Sequence, residues 1–178
     1  MKNSSKTALS GMAVAFGTVV MLLASAIPTL EYAVPAFAGF MILFVLIELG
    51  VGWAAGAYVA TSLLGVFIVP NKEAVGMYIA LFGLYPIVKF FVDRLPKIPG
   101  YIVKTVFFSV MAVGVYYVMI KVFGIASELL EDMNNITLPL LLVFGLAAFL
   151  VYDYAMSMIA VKYKQRLHRY VVKMFKRR

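Results

Sequence analysis

The chain contains six apolar stretches, each close to the ~20 residues that a helix needs to cross a bilayer. They cover residues 7–27, 35–49, 52–69, 74–92, 101–123 and 138–160. Only 13% of the residues are charged, whereas a soluble domain carries about 25%. The stretches lack the alternation of apolar and polar residues expected of a barrel strand. We therefore predict an all-α fold, a polytopic membrane bundle of six transmembrane helices.

Prolines and glycines mark the expected ends of these helices. Pro28 and Pro35 enclose the first loop, and Pro70 ends the third helix. Pro86 is expected to kink the fourth helix because its ring removes a backbone donor. The boundary between the second and third helices is the least sharply marked, since only the glycines at Gly50 and Gly52 indicate it.

The basic residues are concentrated at one end of the chain. Residues 162–178 hold eight of the 16 Lys and Arg residues and no acid. Cytoplasmic segments of membrane proteins are enriched in Lys and Arg, so an even number of helices places both termini and the loop around residues 93–104 in the cytoplasm. We predict a transmembrane domain over residues 1–161 and a basic cytoplasmic tail over residues 162–178, in a protein of the plasma membrane.

The first apolar stretch is either a cleaved signal peptide or a transmembrane helix. Lys2 and Lys6 precede it, and Ala24-Ser25-Ala26 has the small residues of a signal-peptidase site. Residues 7–27 are nevertheless long enough to span a bilayer, so we expect an uncleaved first helix.

The tail has the pattern of an amphipathic helix, with apolar residues on one face at Tyr163, Leu167, Tyr170, Val171 and Met174. The basic residues cover the rest: Lys162, Lys164, Arg166, Arg169, Lys173, Lys176, Arg177 and Arg178. Such a helix lies on an anionic inner leaflet and binds lipid headgroups. Nucleic acid or an acidic surface of a cytoplasmic protein are the alternatives. Continuity with a membrane helix favours lipid, and we predict no nucleic-acid partner.

Three charged residues, Glu48, Lys89 and Asp153, fall inside or near predicted helices. Charge within a membrane is costly and is often functional. The three could form a proton or ion relay, or an intramembrane ion pair that joins helices. Their shared position near the cytoplasmic helix ends favours the ion pair.

Small residues recur at four-residue spacing on the first and third helices. On the first they are Gly11, Ala13, Ala15 and Gly17. Small residues let helices approach closely in lipid, so this face packs either within the bundle or against a partner helix. The series Gly52, Gly56 and Ala60 on the third helix is expected to pack inside the bundle.

Polar and aromatic side chains collect on the side opposite the basic tail, at Glu31, Tyr32, Asn71, Glu73, Tyr78, Tyr116 and Asn135. Convergent polar groups with rings suit an outward-facing pocket for a small molecule. Interfacial tyrosines alone produce a similar pattern.

The size, the six helices, the small-residue face on the first helix and the proline-flanked first loop resemble the S components of energy-coupling factor transporters. The stretches Pro70-Asn-Lys-Glu-Ala74 and Phe82-Gly-Leu-Tyr-Pro-Ile-Val-Lys89 also resemble an S-component-like group of bacterial membrane proteins. The resemblance covers nearly the whole chain. It implies a subunit that binds a vitamin or similar micronutrient and works with a scaffold subunit and ATPases.

The resemblance also implies roles for particular residues. Small residues of the first helix contact the scaffold in that family, and Gly11, Ala13, Ala15 and Gly17 match these positions loosely. In that family the substrate lies beneath the first loop, which here contains Glu31 and Tyr32. The alternative is a non-transporting structural subunit of a larger bacterial membrane complex. We expect no enzyme, cofactor or metal site, because the chain lacks cysteine, has no histidine except His168 in the tail and offers no paired acids at catalytic spacing. Since it also lacks a phosphate-binding loop, transport would depend on separate ATPases.

Overall fold

The computed structural model describes residues 3–27, 33–118 and 137–166, and within these ranges the chain is helical with no strand. This confirms the predicted all-α fold. The helices are α1 (Asn3–Ala26), α2 (Ala33–Leu49), α3 (Val51–Ile68), α4 (Lys72–Met77), the π-helical segment Tyr78–Phe82 (the π segment), α5 (Tyr85–Val92), α6 (Lys97–Val118) and α7 (Thr137–Arg166).

Five helices in the described ranges are long and apolar enough to cross a membrane. They are α1, α3, α6, α7 and the interrupted helix Lys72–Val92, which joins α4, the π segment and α5. The predicted second span corresponds to α2, which is apolar but has only 17 residues. These elements are compatible with a multi-pass membrane protein.

A single residue, Gly50, separates α2 from α3. Its φ of 90° and ψ of 179° lie in a region that only glycine adopts readily. The break predicted at Gly50 and Gly52 therefore falls on Gly50 alone, while Gly52 is already helical.

The interrupted helix changes its hydrogen-bonding pattern just before a proline. In the π segment, the backbone N–H of Gly83 donates to the carbonyl oxygen of Tyr78 at 2.7 Å. Pro86 lacks the N–H that would bond the carbonyl four residues earlier, that of Phe82. The irregularity predicted at Pro86 thus takes the form of a π segment and a short turn before α5.

Two tyrosine hydroxyls from other helices bond the carbonyls of the π segment. Tyr58 on α3 donates to the carbonyl oxygen of Ile79 at 2.8 Å. Tyr152 on α7 lies 3.3 Å from the carbonyl oxygen of Phe82 and 3.4 Å from that of Ala36 on α2. Buried backbone oxygens need such partners in an apolar environment, so these bonds make the interruption stable.

The helix α2 approaches the interrupted helix closely at Gly39. A Cβ atom at this position would collide with the carbonyl oxygen of Phe82 and the hydroxyl of Tyr152. Aromatic rings fill the surrounding core, with Tyr78 and Tyr85 completely buried. The bundle is therefore tightly packed where α2, the interrupted helix and α7 meet.

Among the helices that extend beyond their predicted limits are α6 and α7. Helix α6 begins at Lys97, because Pro99 falls in its first turn, where no helical N–H is required. Helix α7 continues to Arg166, past the predicted end at residue 160, because residues 161–166 contain neither proline nor glycine. The first residues of the predicted tail are therefore part of α7.

Candidate functional site

Four charged side chains and a tyrosine meet where α5, α6 and α7 converge. Lys89 on α5 pairs with Asp153 on α7. The Lys104 ammonium on α6 lies 3.2 and 3.1 Å from the two carboxylate oxygens of Asp153. Asp93, at the end of α5, lies 3.2 Å from Lys89 and 2.7 Å from Lys104. The hydroxyl of Tyr85 donates to Asp153 at 2.6 Å.

This acid–base cluster, as we call these five residues, carries two positive and two negative charges. The side chains of Lys89, Lys104 and Asp153 are 7%, 10% and 10% exposed, whereas that of Asp93 is 46% exposed. Charges this deeply buried are stable only when they are paired and hydrogen-bonded. Asp153 meets this condition through contacts with three side chains, so it is the centre of the cluster.

The cluster opens onto a cleft of about 530 Å³. Its polar wall is formed by Asp93, Lys104, Asp153 and Ser157, and its apolar residues include Val92, Leu95 and Leu150. Pro96, the residue before α6, and Gly100, near the start of that helix, also line the cleft. This volume lies within the range of small-molecule sites, about 300–1,000 Å³.

The structure brings together two of the three charged residues predicted within the membrane helices. Lys89 and Asp153 form an ion pair. Glu48 contacts a different side chain, because the hydroxyl of Tyr163 donates to its carboxylate at 2.8 Å. The ring of Phe44 packs against Tyr163 with 4.9 Å between centroids. Glu48 and Tyr163 thus link α2 to α7 in a separate contact.

The residues of the predicted outward-facing pocket have different environments. The Asn71 side chain accepts from the backbone N–H of Ala74 at 2.9 Å and caps α4. Glu73 lies in the first turn of that helix, where a negative charge is favourable. Tyr78 is completely buried, with its ring against Gly83. Glu31, Tyr32, Asn135 and the side chain of Tyr116 lie outside the described part of the chain.

The small residues of α1 fall on two faces. Gly17 is buried, and a Cβ there would lie 3.5 Å from the methyl group of Thr61 on α3. Ala13 is half-buried next to the core. Gly11 and Ala15 are exposed, and no described atom lies within 4 Å of a Cβ at Gly11. One pair therefore packs inside the bundle and the other faces outward.

On the third helix, the small residues divide in the same way. Gly52 and Gly56 are exposed, and within the described ranges nothing lies within 4 Å of a Cβ at either one. Ala54 and Ala57 form the buried side of α3 instead. The inner face of this helix is therefore not the one that the glycine spacing indicated.

The predicted lipid-binding residues lie only partly in the described ranges. Lys162 and Lys164 are exposed on the last turns of α7. Arg166 is the last residue whose backbone is described, and Arg169, Lys173, Lys176, Arg177 and Arg178 lie outside.

The sequence reasoning missed three members of the acid–base cluster: Tyr85, Asp93 and Lys104. Asp93 and Lys104 fall in the predicted loop around residues 93–104, yet Asp93 contacts the buried Lys89 and Lys104 contacts the buried Asp153. One indication was present, because Lys89 and Asp93 are four residues apart and neighbours on a helix face. No such spacing connects Lys104 to the other members of the cluster, because its position there depends on how α6 packs.

Comparison with known proteins gives no relative: no family model, curated protein or solved structure matches the chain. Within the described ranges, no group of three or more His, Cys, Asp or Glu side chains could hold a metal ion. Separately, the two lysines and two aspartates of the acid–base cluster balance one another in formal charge.

Proposed function

We propose that this chain is the substrate-binding membrane subunit of a small-molecule importer, similar to the S components of energy-coupling factor transporters. The observation that carries the proposal is the outward face of α1. Gly11 and Ala15 are exposed there, while Gly17 packs inside the bundle against Thr61. An exposed pair of small residues suits the close approach of a helix from another subunit. The partner is a membrane scaffold subunit that works with ATPases.

In this proposal the chain has six spans, with both termini in the cytoplasm of a plasma-membrane protein. The distribution of Lys and Arg supports this orientation. The absence of cysteine makes the test direct, because single introduced cysteines are the sole reactive thiols. We expect a membrane-impermeant thiol reagent to label Glu73→Cys in intact cells, and to label Lys164→Cys only after the membrane is opened. The reverse labelling pattern would show that the topology is the opposite of the one proposed.

Co-purification tests the importer proposal. The tagged chain, expressed in its own host and extracted in mild detergent, is expected to retain a membrane scaffold and ATPases. Gly11→Leu should abolish this association, because the larger side chain blocks close helix packing. Gly114→Leu is the matched control, since Gly114 is also an exposed helical glycine with no described atom within 4 Å of its Cβ position.

A second candidate function is supported by the aromatic packing of the core. Tyr78 and Tyr85 are completely buried and Tyr152 is nearly so, which favours a structural subunit with a filled interior. Such a subunit should co-purify with other membrane proteins and no ATPase. Native mass spectrometry of the wild-type complex separates the two functions further, because only the importer subunit is expected to retain a small molecule.

A further inference from the structure

The two carboxylates of the acid–base cluster are held very differently. The oxygens of Asp153 contact Tyr85, Lys89 and Lys104, and its side chain is only 10% exposed. Asp93 contacts the two lysines alone within the cluster and is 46% exposed. Asp153 is enclosed by its three partners, whereas the half-exposed Asp93 carboxylate can be reached by a competing anion that would keep the lysines paired. Asp93 is therefore the exchangeable carboxylate.

The position of Asp93 on its helix supports the same conclusion. It is the C-cap residue of α5, where the helix dipole disfavours a negative charge. The two lysines compensate for this placement, since each ammonium contacts one oxygen of Asp93. The position of Asp93 in the cluster is therefore stabilised mainly by its ion pairs with the two lysines.

The cleft gives another anion access to the same positive charge. Asp93, Lys104 and Asp153 all line it, so an anion in the cleft can reach the Lys104 ammonium without opening the bundle. Pro96, the residue before α6, and Gly100, near the start of that helix, form another part of the wall. The Lys104 ammonium is therefore the group of the wall that attracts an anion.

We propose that Lys89 and Lys104 form an anion-binding site in this cleft, and that Asp93 is an internal competitor for it. The external ligand carries a carboxylate or phosphate group, which takes the place of the Asp93 side chain between the two ammonium groups. Displacement releases the contact that ties the end of α5 to α6. The inference does not depend on the importer proposal, because it concerns a site at the opposite end of the interrupted helix from Asn71 and Glu73.

Removing the competitor is the first test. Asp93→Asn keeps the shape of the side chain but cancels its charge, leaving the cluster with one excess positive charge. We expect inorganic phosphate and succinate to bind this variant in neutral detergent about tenfold more tightly than the wild type. Binding is measured as the rise in unfolding temperature during titration at constant ionic strength, with chloride as the balancing ion. Equal binding by both proteins would overturn the proposal.

Two further variants show that the effect belongs to this site. Glu73→Gln makes the same acid-to-amide change at the start of the interrupted helix and should bind the probes as the wild type does. The double variant Asp93→Asn/Lys104→Gln leaves Lys89 paired with Asp153, so the cluster stays electrically balanced. It should fold normally and lose the enhanced binding. Retention of that binding would place the anion elsewhere and refute the proposal.

A final comparison distinguishes a soluble anion from a lipid phosphate. Asp93→Asn is reconstituted into nanodiscs of phosphatidylcholine alone, or of phosphatidylcholine with phosphatidic acid. If the ligand is a soluble anion, phosphate and succinate stabilise the variant to the same extent in the two kinds of nanodisc. If it is a lipid headgroup, phosphatidic acid stabilises the variant and removes the response to phosphate. The absence of both responses contradicts the site.

Discussion

The hydroxyl of Tyr152 on α7 lies 3.3 Å from the carbonyl oxygen of Phe82, the acceptor that Pro86 leaves without its helical donor. The irregular part of the interrupted helix is therefore bonded to another helix. Tyr58 provides a second such bond to Ile79 at 2.8 Å. Because these donors come from α3 and α7, the shape of the interruption depends on the packing of the whole bundle.

Tyr152→Phe should lower the free energy of unfolding by about 1 kcal/mol, because it leaves the buried carbonyl oxygens of Phe82 and Ala36 without this donor. Equilibrium unfolding in mixed micelles measures the change. Tyr154→Phe is the control: the Tyr154 side chain is 65% exposed, so removal of its hydroxyl should change the free energy of unfolding little. Equal losses in the two variants would contradict the role of the Tyr152 hydroxyl.

Gly39→Ala should destabilise the protein by about 1–3 kcal/mol, because its Cβ meets backbone and a packed tyrosine. Gly56→Ala adds the same methyl group to an exposed helical position with no described atom within 4 Å. It should be neutral or slightly stabilising, because alanine favours helix. Thermal unfolding in detergent compares the two, and a stable Gly39→Ala protein would mean that α2 does not approach the interrupted helix this closely.

Gly50→Ala should cost about 1–3 kcal/mol, since a side chain is strained at φ 90° and ψ 179°. Gly52→Ala, two residues later in regular helix, is the matched control and should not destabilise. The difference between the two unfolding free energies measures the backbone strain. A difference near zero would show that α2 and α3 are joined in another conformation.

Asp153→Asn should be the most damaging of these changes, at about 3–5 kcal/mol, because it leaves two buried lysines facing a single half-exposed carboxylate. Asp93→Asn should cost less, because this carboxylate is 46% exposed and Asp153 still pairs with both lysines. The amount of folded protein recovered in detergent, relative to the wild type, gives a first measure of each cost. Denaturant titration then gives the free energy of unfolding. Similar costs for both variants would disprove the assignment of Asp153 as the centre of the cluster.

The positions of the helices followed from hydropathy and from prolines, because the length of a span is set by the bilayer and a proline ends or distorts a helix wherever it falls. The π segment did not follow from these patterns. Pro86 predicts an irregularity, but its form depends on the hydroxyls of Tyr58 and Tyr152, which are distant in sequence.

The acid–base cluster could be predicted only in part for a related reason. Lys89 and Asp153 stood out because charge is rare in an apolar stretch. Lys104 and Asp93 lie near a polar loop, where charges are ordinary, and their depth is decided by how α6 and α7 pack. Burial at a helix end is a tertiary property that hydropathy does not report.

Lys72, the first residue of α4, is bonded to the end of α3. Its ammonium donates to the carbonyl oxygens of Val66 and Val69 at 2.7 and 2.8 Å, at the end of α3. Those oxygens form the negative end of the helix, so the lysine is held by its own chain. A cation held in this way competes weakly for lipid phosphates. Lys72 is therefore expected to be a weak topogenic signal, and its charge counts little against the Lys and Arg asymmetry on which the proposed orientation rests.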